Sequence, residues 1–231
     1  MVFMNTLAGL LNDAFGQDID GFPPSCWVRE ACAEACWPYS AEAIEVVTAH
    51  GARQQLCRRL RLEHPAASAH HPQHDDRLHD ALVEAEAFAW AVEVAQLGIP
   101  EFCFAERMPD LRIPGRAIIE VKAVRHSVEE QLAKLALLQS GAARTVSRGP
   151  ADDAVYHKLD DKLSKAQEQL AASPEIASRV VYFNVRLDFD VSSREDSRLS
   201  EWARDGATRT GLRLVVVRNG EWWEPLIDTG G

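Results

Sequence analysis

The sequence contains little lysine. Only five of its 25 basic residues are lysines, and 35 acidic residues give the chain a net charge of −10. This excess of negative charge argues against a protein built mainly to coat nucleic acid. It does not exclude an enzyme that acts on DNA, because a carboxylate site neutralised by metal ions itself requires acidic residues.

Long apolar runs and a secretory signal are also missing. No stretch of eighteen apolar residues occurs, which argues against a membrane-spanning helix. The N-terminus lacks the basic start and the small-residue cleavage site of a signal peptide. The five cysteines are an odd number, and reduced thiols are the simplest interpretation. We therefore expect a cytoplasmic protein that does not insert into membranes.

The composition changes along the 231 residues. Residues 1–63 are predicted to be helical, with an amphipathic helix at the N-terminus and a longer helix over 41–60. The following stretch 63–76, EHPAASAHHPQHDD, lacks periodicity and is predicted to be a linker. We therefore predict a helical region with its linker over 1–75 and a second domain over 76–231.

Helical and strand patterns alternate in the second domain. The predicted elements, in chain order, are a helix over 77–98 ended by Gly98, an extended run over 101–113, a turn at Pro114-Gly115, a strand over 116–124, helices over 127–139 and 154–173, a strand over 179–191, a helix over 193–211, and a hairpin turning at Asn219-Gly220. With two strands counted in the extended run, the second over 109–113, and with the helix over 127–139 set aside, the order is α-β-β-β-α-β followed by α-β-β. It predicts an α/β fold whose mixed central sheet is flanked by helices.

Three chemically active residues converge on the predicted hairpin that includes 116–124. Alternate residues of a strand face the same side, so Glu120 and Lys122 share a face. Pairing across the hairpin turn puts Asp110 beside Ile119 or Glu120. Two carboxylates suit Mg²⁺, and an ammonium group can stabilise charge that develops on a phosphate. The alternative is a same-face ion pair on an exposed strand.

These residues resemble a known motif. Pro109-Asp110, nine intervening residues and Glu120-Val121-Lys122 resemble the PD-(D/E)xK motif of the restriction-endonuclease-like nucleases. The predicted α-β-β-β-α-β order also resembles the core of that superfamily. The resemblance implies a Mg²⁺-dependent phosphodiesterase, with Mn²⁺ as an alternative metal, that acts on DNA rather than RNA. It implies that Asp110 and Glu120 bind metal and that Lys122 is the catalytic lysine.

Many members of this superfamily carry a further Glu on the helix before the motif. The candidates here are Glu84, Glu86 and Glu93. On a helical wheel, Glu86 and Glu93 flank the core-facing side, whereas Glu84 points away from it. We therefore predict that Glu86 is the third catalytic and metal-binding carboxylate, with Glu93 as the second choice.

Basic and amide side chains follow on the helix after the third strand. The resemblance implies that a Gln or Lys in this helix assists the site, and Gln167 and Gln169 are candidates. The predicted contacts to nucleic acid are Lys158, Lys162, Lys165 and Gln167. The alternative is that the lysines form the wet face of an amphipathic helix. The QxxxY signature of some subfamilies is absent.

The cysteines of the N-terminal half pose a separate question. Cys26, Cys32, Cys36 and Cys57 suggest a metal cluster, but only one pair has a spacing typical of zinc sites. Buried free thiols are the alternative interpretation.

Taken with the resemblance, these patterns predict a metal-dependent deoxyribonuclease of DNA repair, recombination or defence against foreign DNA. Two alternatives stay open. One is a non-catalytic DNA-binding or assembly subunit on a nuclease-like fold, and the other is an RNA-directed or toxin nuclease. The N-terminal region is a candidate surface for a homodimer or for a protein partner.

Overall fold

The computed structural model describes residues 7–16, 38–63, 72–105, 108–125, 153–173, 178–186, 193–218 and 221–223. Within these ranges the helices are α1 (Leu7–Phe15), α2 (Pro38–Ala49), α3 (Arg53–Glu63), α4 (Pro72–Ala89), α5 (Asp153–Ala172) and α6 (Ser193–Thr210). The strands are β1 (Glu101–Phe102), β2 (Leu111–Ile113), β3 (Ala117–Arg125), β4 (Ser178–Arg186), β5 (Arg213–Arg218) and β6 (Glu221–Trp223).

The strands form a mixed sheet in which the strand order follows the chain order from β1 to β6. The pairs β1–β2 and β5–β6 are antiparallel, whereas β4 and β5 are parallel. A parallel pair needs a crossover connection, and α6 lies between these two strands in the chain. The predicted α/β class with a mixed sheet is confirmed. The helix predicted over 127–139 lies outside the described residues.

The described chain divides into two compact units between Ile118 and Ile119, which are neighbours in β3. The first unit contains α1 to α4 with β1 and β2, and the second contains α5, α6 and β4 to β6. The domain boundary predicted at residues 75 and 76 lies inside α4, which begins at Pro72. Proline is favoured at the first helical position because its missing N–H has no partner there anyway.

The helix predicted over 41–60 is two helices, so this prediction is wrong. Gly51 has φ +74°, and its N–H donates to the carbonyl of Thr48 at 3.0 Å. The N–H of Ala52 donates to the carbonyl of Val47, also at 3.0 Å. This pair of bonds is the Schellman arrangement that ends a helix at a left-handed glycine. The chain therefore turns between α2 and α3.

The core of the first unit is helical. Leu7, Leu10 and Leu11 of α1 are buried, which confirms the predicted apolar face of the N-terminal helix for the described residues. α3 packs against α1, and α4 packs against both α2 and α3. α4 does not continue to Gly98 as predicted, because a π-helical turn over Trp90–Val94 follows it directly.

The second unit packs helices on strands. The apolar residues at helical spacing in α5 are Val155, Leu159, Leu163, Ala166 and Leu170. The last four are buried, whereas Val155 is half-buried. The β4 side chains from 180 to 185 are all buried, as expected for a strand with a parallel neighbour. Trp202 of α6 donates its indole N–H to Asp160 of α5 at 3.1 Å, which ties the two helices together.

Two predicted turns are also present. The N–H of Arg116 donates to the carbonyl of Ile113 at 3.0 Å, and Gly115 has φ +68°, which places a tight turn at Pro114-Gly115. In β5–β6, Arg218 is the partner of Glu221, so the hairpin predicted at the C-terminal end is confirmed. Among the helices of the described ranges, none has the length and apolar character needed to cross a membrane.

We predict that Gly98→Ala destabilises the protein more than Gly51→Ala. Gly98 has φ +120°, and an added Cβ would lie 3.3 Å from Cγ2 of Ile113, whereas a Cβ at Gly51 would meet nothing within 4 Å. We expect the free energy of unfolding to fall by about 1–3 kcal/mol for Gly98→Ala and by roughly 1 kcal/mol for Gly51→Ala. Urea unfolding measures both, and equal losses would contradict the role of the Ile113 contact.

Candidate functional site

Two carboxylates lie in the buried part of α4. Every side chain from residue 81 to residue 91 is buried, and Glu84 and Glu86 are only 4% and 5% exposed. α4 therefore has no solvated face over this stretch, because neighbouring elements cover it on all sides. A carboxylate at such a position requires a cation or hydrogen-bond donors, since burial of an uncompensated charge is very costly.

Arg59 of α3 is the cationic partner of Glu84. Its Nε donates to the two Glu84 oxygens at 2.8 and 2.9 Å, and its Nη2 donates to Glu84 Oε1 at 2.7 Å. The same Nη2 donates to Oδ1 of Asp110 at 2.9 Å. A planar guanidinium suits this geometry because its N–H groups form a fixed fork. One cation thus joins a carboxylate of α4 to Asp110. We call Glu84 and Asp110, together with the Arg59 between them, the arginine-bridged pair.

Asp110 lies directly before β2. Its carbonyl oxygen accepts a hydrogen bond from the N–H of Cys103 at 2.9 Å, which extends the antiparallel pairing of β1 and β2 by one step. The backbone therefore fixes the position from which the Asp110 side chain reaches Arg59. All members of the arginine-bridged pair belong to the first unit.

The second unit holds the other half of the sequence motif. Glu120 is 1% exposed and accepts a hydrogen bond from Nζ of Lys122. The same Nζ donates to Oε1 of Gln169 on α5 at 2.9 Å. We call Glu120, Lys122 and Gln169 the lysine group. The alternative of an exposed surface pair is wrong for this strand, because Glu120 is almost completely buried.

The three glutamate candidates of the α4 region differ in their exposure to solvent. Glu84, which the helical wheel places away from the core, is buried and shares Arg59 with Asp110. Glu86 is buried as well, and its metal-binding role stays a prediction. Glu93 is exposed and lines a surface pocket of about 370 Å³ with Glu42, Glu45 and His50.

The predicted residues of α5 are also separated by the structure. Gln169 contacts Lys122, whereas Gln167 is exposed. Lys165 is exposed and donates to Asp161 at 2.7 Å, and this hydrogen bond raises the pKa of the Lys165 ammonium. Lys158 and Lys162 are half-buried. A direct role of these lysines in binding nucleic acid stays a prediction.

Sequence reasoning missed Arg59 and misjudged Glu84. Both partners of Arg59 are distant in sequence, 25 residues away for Glu84 and 51 for Asp110, so no local pattern reveals them. The available signal was weak. Arg59 belongs to the basic cluster CRRLRLEH, and a helix buried on all sides has no polar face for a wheel to identify.

The donor set is compatible with a divalent cation. Among the residues that the structure describes, no group of three or more His, Cys, Asp or Glu is arranged to hold a metal ion. Mg²⁺, however, binds proteins through one or two carboxylates and keeps several of its waters. Glu84 and Asp110 supply two carboxylates of this kind, already held next to one cation. The arginine-bridged pair therefore fits the requirements of Mg²⁺.

Cys57 is a buried free thiol. Its Sγ lies 4.0 Å from the carbonyl oxygen of Leu10, and burial raises the pKa of the thiol. The other members of the proposed cysteine cluster, Cys26, Cys32 and Cys36, lie outside the described residues. For Cys57 the structure agrees with the free-thiol interpretation.

Comparison with known proteins adds no relative. No protein-family model matches the chain, and neither the curated proteins nor the solved structures gave a significant match.

We predict that Cys57 of the folded protein reacts with iodoacetamide at pH 8 at least about tenfold more slowly than Cys103. The thiolate is the reactive form, and burial both raises the pKa of Cys57 and restricts access to it. Cys103 is partly exposed and serves as the internal control. Peptide mass spectrometry would follow both residues, with a urea-unfolded sample as reference. Equal rates in the folded protein would contradict the burial of Cys57.

Proposed function

We propose that the protein is a metal-dependent nuclease that cleaves DNA, with Asp110, Glu120 and Lys122 as its central residues. The observation that carries the proposal is the lysine group, in which the buried Glu120 and the half-buried Gln169 both bind the Lys122 ammonium. A lysine and a glutamate two positions apart on one strand are held together, and an amide from a separate helix fixes the ammonium. This arrangement orients Lys122 with a defined geometry, as catalysis requires of a group that stabilises charge.

The arginine-bridged pair and the lysine group each contain part of one sequence motif. Pro109-Asp110 and Glu120-Val121-Lys122 resemble the PD-(D/E)xK pattern, and the element order from α4 to β4, α-β-β-β-α-β, supports the same superfamily. We therefore propose that the chain has a restriction-endonuclease-like fold. The proposal includes Glu84 as the carboxylate contributed by the helix before the motif, because Glu84 shares a cation with Asp110.

The residues have separate roles in this proposal. The resemblance to the motif implies that Asp110 and Glu120 would bind Mg²⁺, and Glu84 would supply a further carboxylate beside Asp110. The ion, when bound, acts as a Lewis acid on the scissile phosphate and makes water a better nucleophile. Lys122 places a positive charge beside the phosphate oxygens as negative charge increases on them. Gln169 holds the Lys122 ammonium in position through its side-chain oxygen.

A non-catalytic DNA-binding or assembly subunit is the second candidate. One observation favours it, since the described ranges contain no ready group of three metal-binding side chains. The burial of Glu120 beside the half-buried Lys122 argues for catalysis instead, because a binding surface would gain nothing from a carboxylate removed from solvent.

We predict that the wild-type protein cleaves DNA in the presence of Mg²⁺ or Mn²⁺ and not in EDTA. Lys122→Ala and Asp110→Ala should each lower the rate by about 10²-fold or more, since Lys122 supplies the charge that stabilises the transition state and Asp110 would hold the metal. The substrates are supercoiled plasmid and linear single- and double-stranded DNA. Arg209→Ala is the control for the loss of one positive charge, because Arg209 is exposed, pairs with Asp160 at 2.7 Å and has no role in the proposed site.

The outcomes separate the two candidates. Metal-dependent cutting that both site variants lose supports the nuclease. A folded wild-type protein that binds DNA but cuts none of these substrates in either metal contradicts it and favours the non-catalytic subunit. Cleavage of RNA alone would favour the RNA-directed nuclease.

We also predict that Glu84→Gln lowers the rate of DNA cleavage more than Glu86→Gln. The two substitutions remove one charge each from neighbouring buried positions of α4, and the proposal assigns Glu84 to the site because it shares Arg59 with Asp110. We expect a loss of about 10²-fold for Glu84→Gln and a much smaller effect for Glu86→Gln. Circular dichroism of both variants controls for folding, and the reverse order of losses would assign the role to Glu86.

A further inference from the structure

We infer that Arg59 and Mg²⁺ compete for the same carboxylate oxygens, so that Mg²⁺ binds by exchange with the Arg59 guanidinium. This inference rests on the proposed function, because it concerns how the same carboxylates are loaded with metal. It assigns Arg59 the role of a positioning residue and of a competitor for the site.

The two carboxylates share one donor atom. Glu84 Oε1 and Asp110 Oδ1 accept hydrogen bonds from one and the same nitrogen, Nη2 of Arg59, at 2.7 and 2.9 Å. A Mg²⁺ ion requires oxygens at about 2.0–2.1 Å. An ion bound to both of these oxygens would therefore lie very close to a guanidinium group that carries the same sign of charge. Two cations cannot share this position in a poorly solvated site without strong repulsion.

Burial explains why the two carboxylates need a cation between them. Glu84 is 4% exposed, and the side chain of Arg59 is itself only 16% exposed. Without a cation, two carboxylates would face each other with little solvent to screen them. Arg59 removes this repulsion and holds one oxygen of each carboxylate against the same nitrogen.

The consequence is an exchange of two cations over one pair of carboxylates. Binding of metal must break the bond from Nη2 to at least one carboxylate, so the affinity for metal is lowered by the free energy of the lost charge-assisted contact. The displaced guanidinium stays attached to α3 beside the site. It is then free to donate its fork of N–H groups to a phosphate, which its planar geometry suits.

Metal affinity tests the exchange directly. The probe is Mn²⁺, followed by the electron paramagnetic resonance signal of the free ion and by isothermal titration calorimetry on the full-length protein, without DNA. Arg59→Gln removes the competing charge and should bind Mn²⁺ at least about tenfold more tightly than the wild type, given the strength of a charge-assisted contact. Its melting temperature should be lower without metal and should rise more on addition of Mn²⁺.

Two further variants make the result specific. Arg58→Gln is the matched control, because Arg58 is the neighbour of Arg59 on α3 and stacks over the Phe104 ring at 4.3 Å rather than binding a carboxylate. It should leave the Mn²⁺ affinity unchanged. Arg59→Lys keeps the charge but loses the fork, and it should give an intermediate affinity. It also supplies the measurement if Arg59→Gln does not fold.

The outcomes distinguish this inference from the function on which it rests. An unchanged or weaker Mn²⁺ affinity in Arg59→Gln and Arg59→Lys, with metal-dependent cleavage intact in the wild type, overturns the exchange and leaves the nuclease standing. Absence of Mn²⁺ binding in the wild type and in both variants overturns the exchange and the metal-dependent function together. Arg59 would then be an ordinary structural ion pair.

Discussion

The fork of hydrogen bonds from Arg59 to Glu84 and Asp110 is the contact on which the first unit most depends. It compensates charge at a point where α4 is covered on every side and where water cannot do so. Loss of one member of such a network leaves the others buried and unbalanced, which typically costs several kcal/mol. The contact also connects three elements that are distant in sequence, namely α3, α4 and the segment before β2. It therefore positions a motif residue and stabilises the packing of the helices at once.

The arginines of α3 bind other parts of the first unit, although Arg58 and Arg61 are themselves exposed. Arg53 pairs with Asp13 at 2.7 Å, Arg61 donates to the carbonyl of Ala14 at 3.1 Å, and Arg58 stacks on Phe104. With Arg59, four basic side chains of one helix have partners inside the first unit. A basic cluster in a sequence is commonly associated with nucleic acid. Here the cluster ties α3 to α1 and to the region of β1 and β2, so its positive charge is largely used within the fold.

The fold was more predictable from the sequence than the site. The stripe of Leu159, Leu163 and Leu170 and the apolar run of β4 are local patterns of period and composition, and local patterns are what sequence reasoning detects. The break at Gly51 was missed because one glycine inside a periodic segment is compatible with a continuous helix. Glu84 was misjudged because a helical wheel assumes one solvated face. Its partner Arg59 lies on another helix, and such long-range pairs leave no trace in local spacing.

Lysine is scarce in this arginine-rich chain, so the presence of Lys122 rather than an arginine calls for a physical explanation. An arginine at this position would present a planar fork, which matches two oxygens of one carboxylate and fills more space. The ammonium group is compact and has three donors in a tetrahedral arrangement. It can therefore bind Glu120 on its own strand and Gln169 on α5 and still direct a third N–H elsewhere. The chain thus uses an arginine where two carboxylates must be bridged and a lysine where a donor must stay available. This difference between the two residues agrees with the proposed site for a phosphate ester.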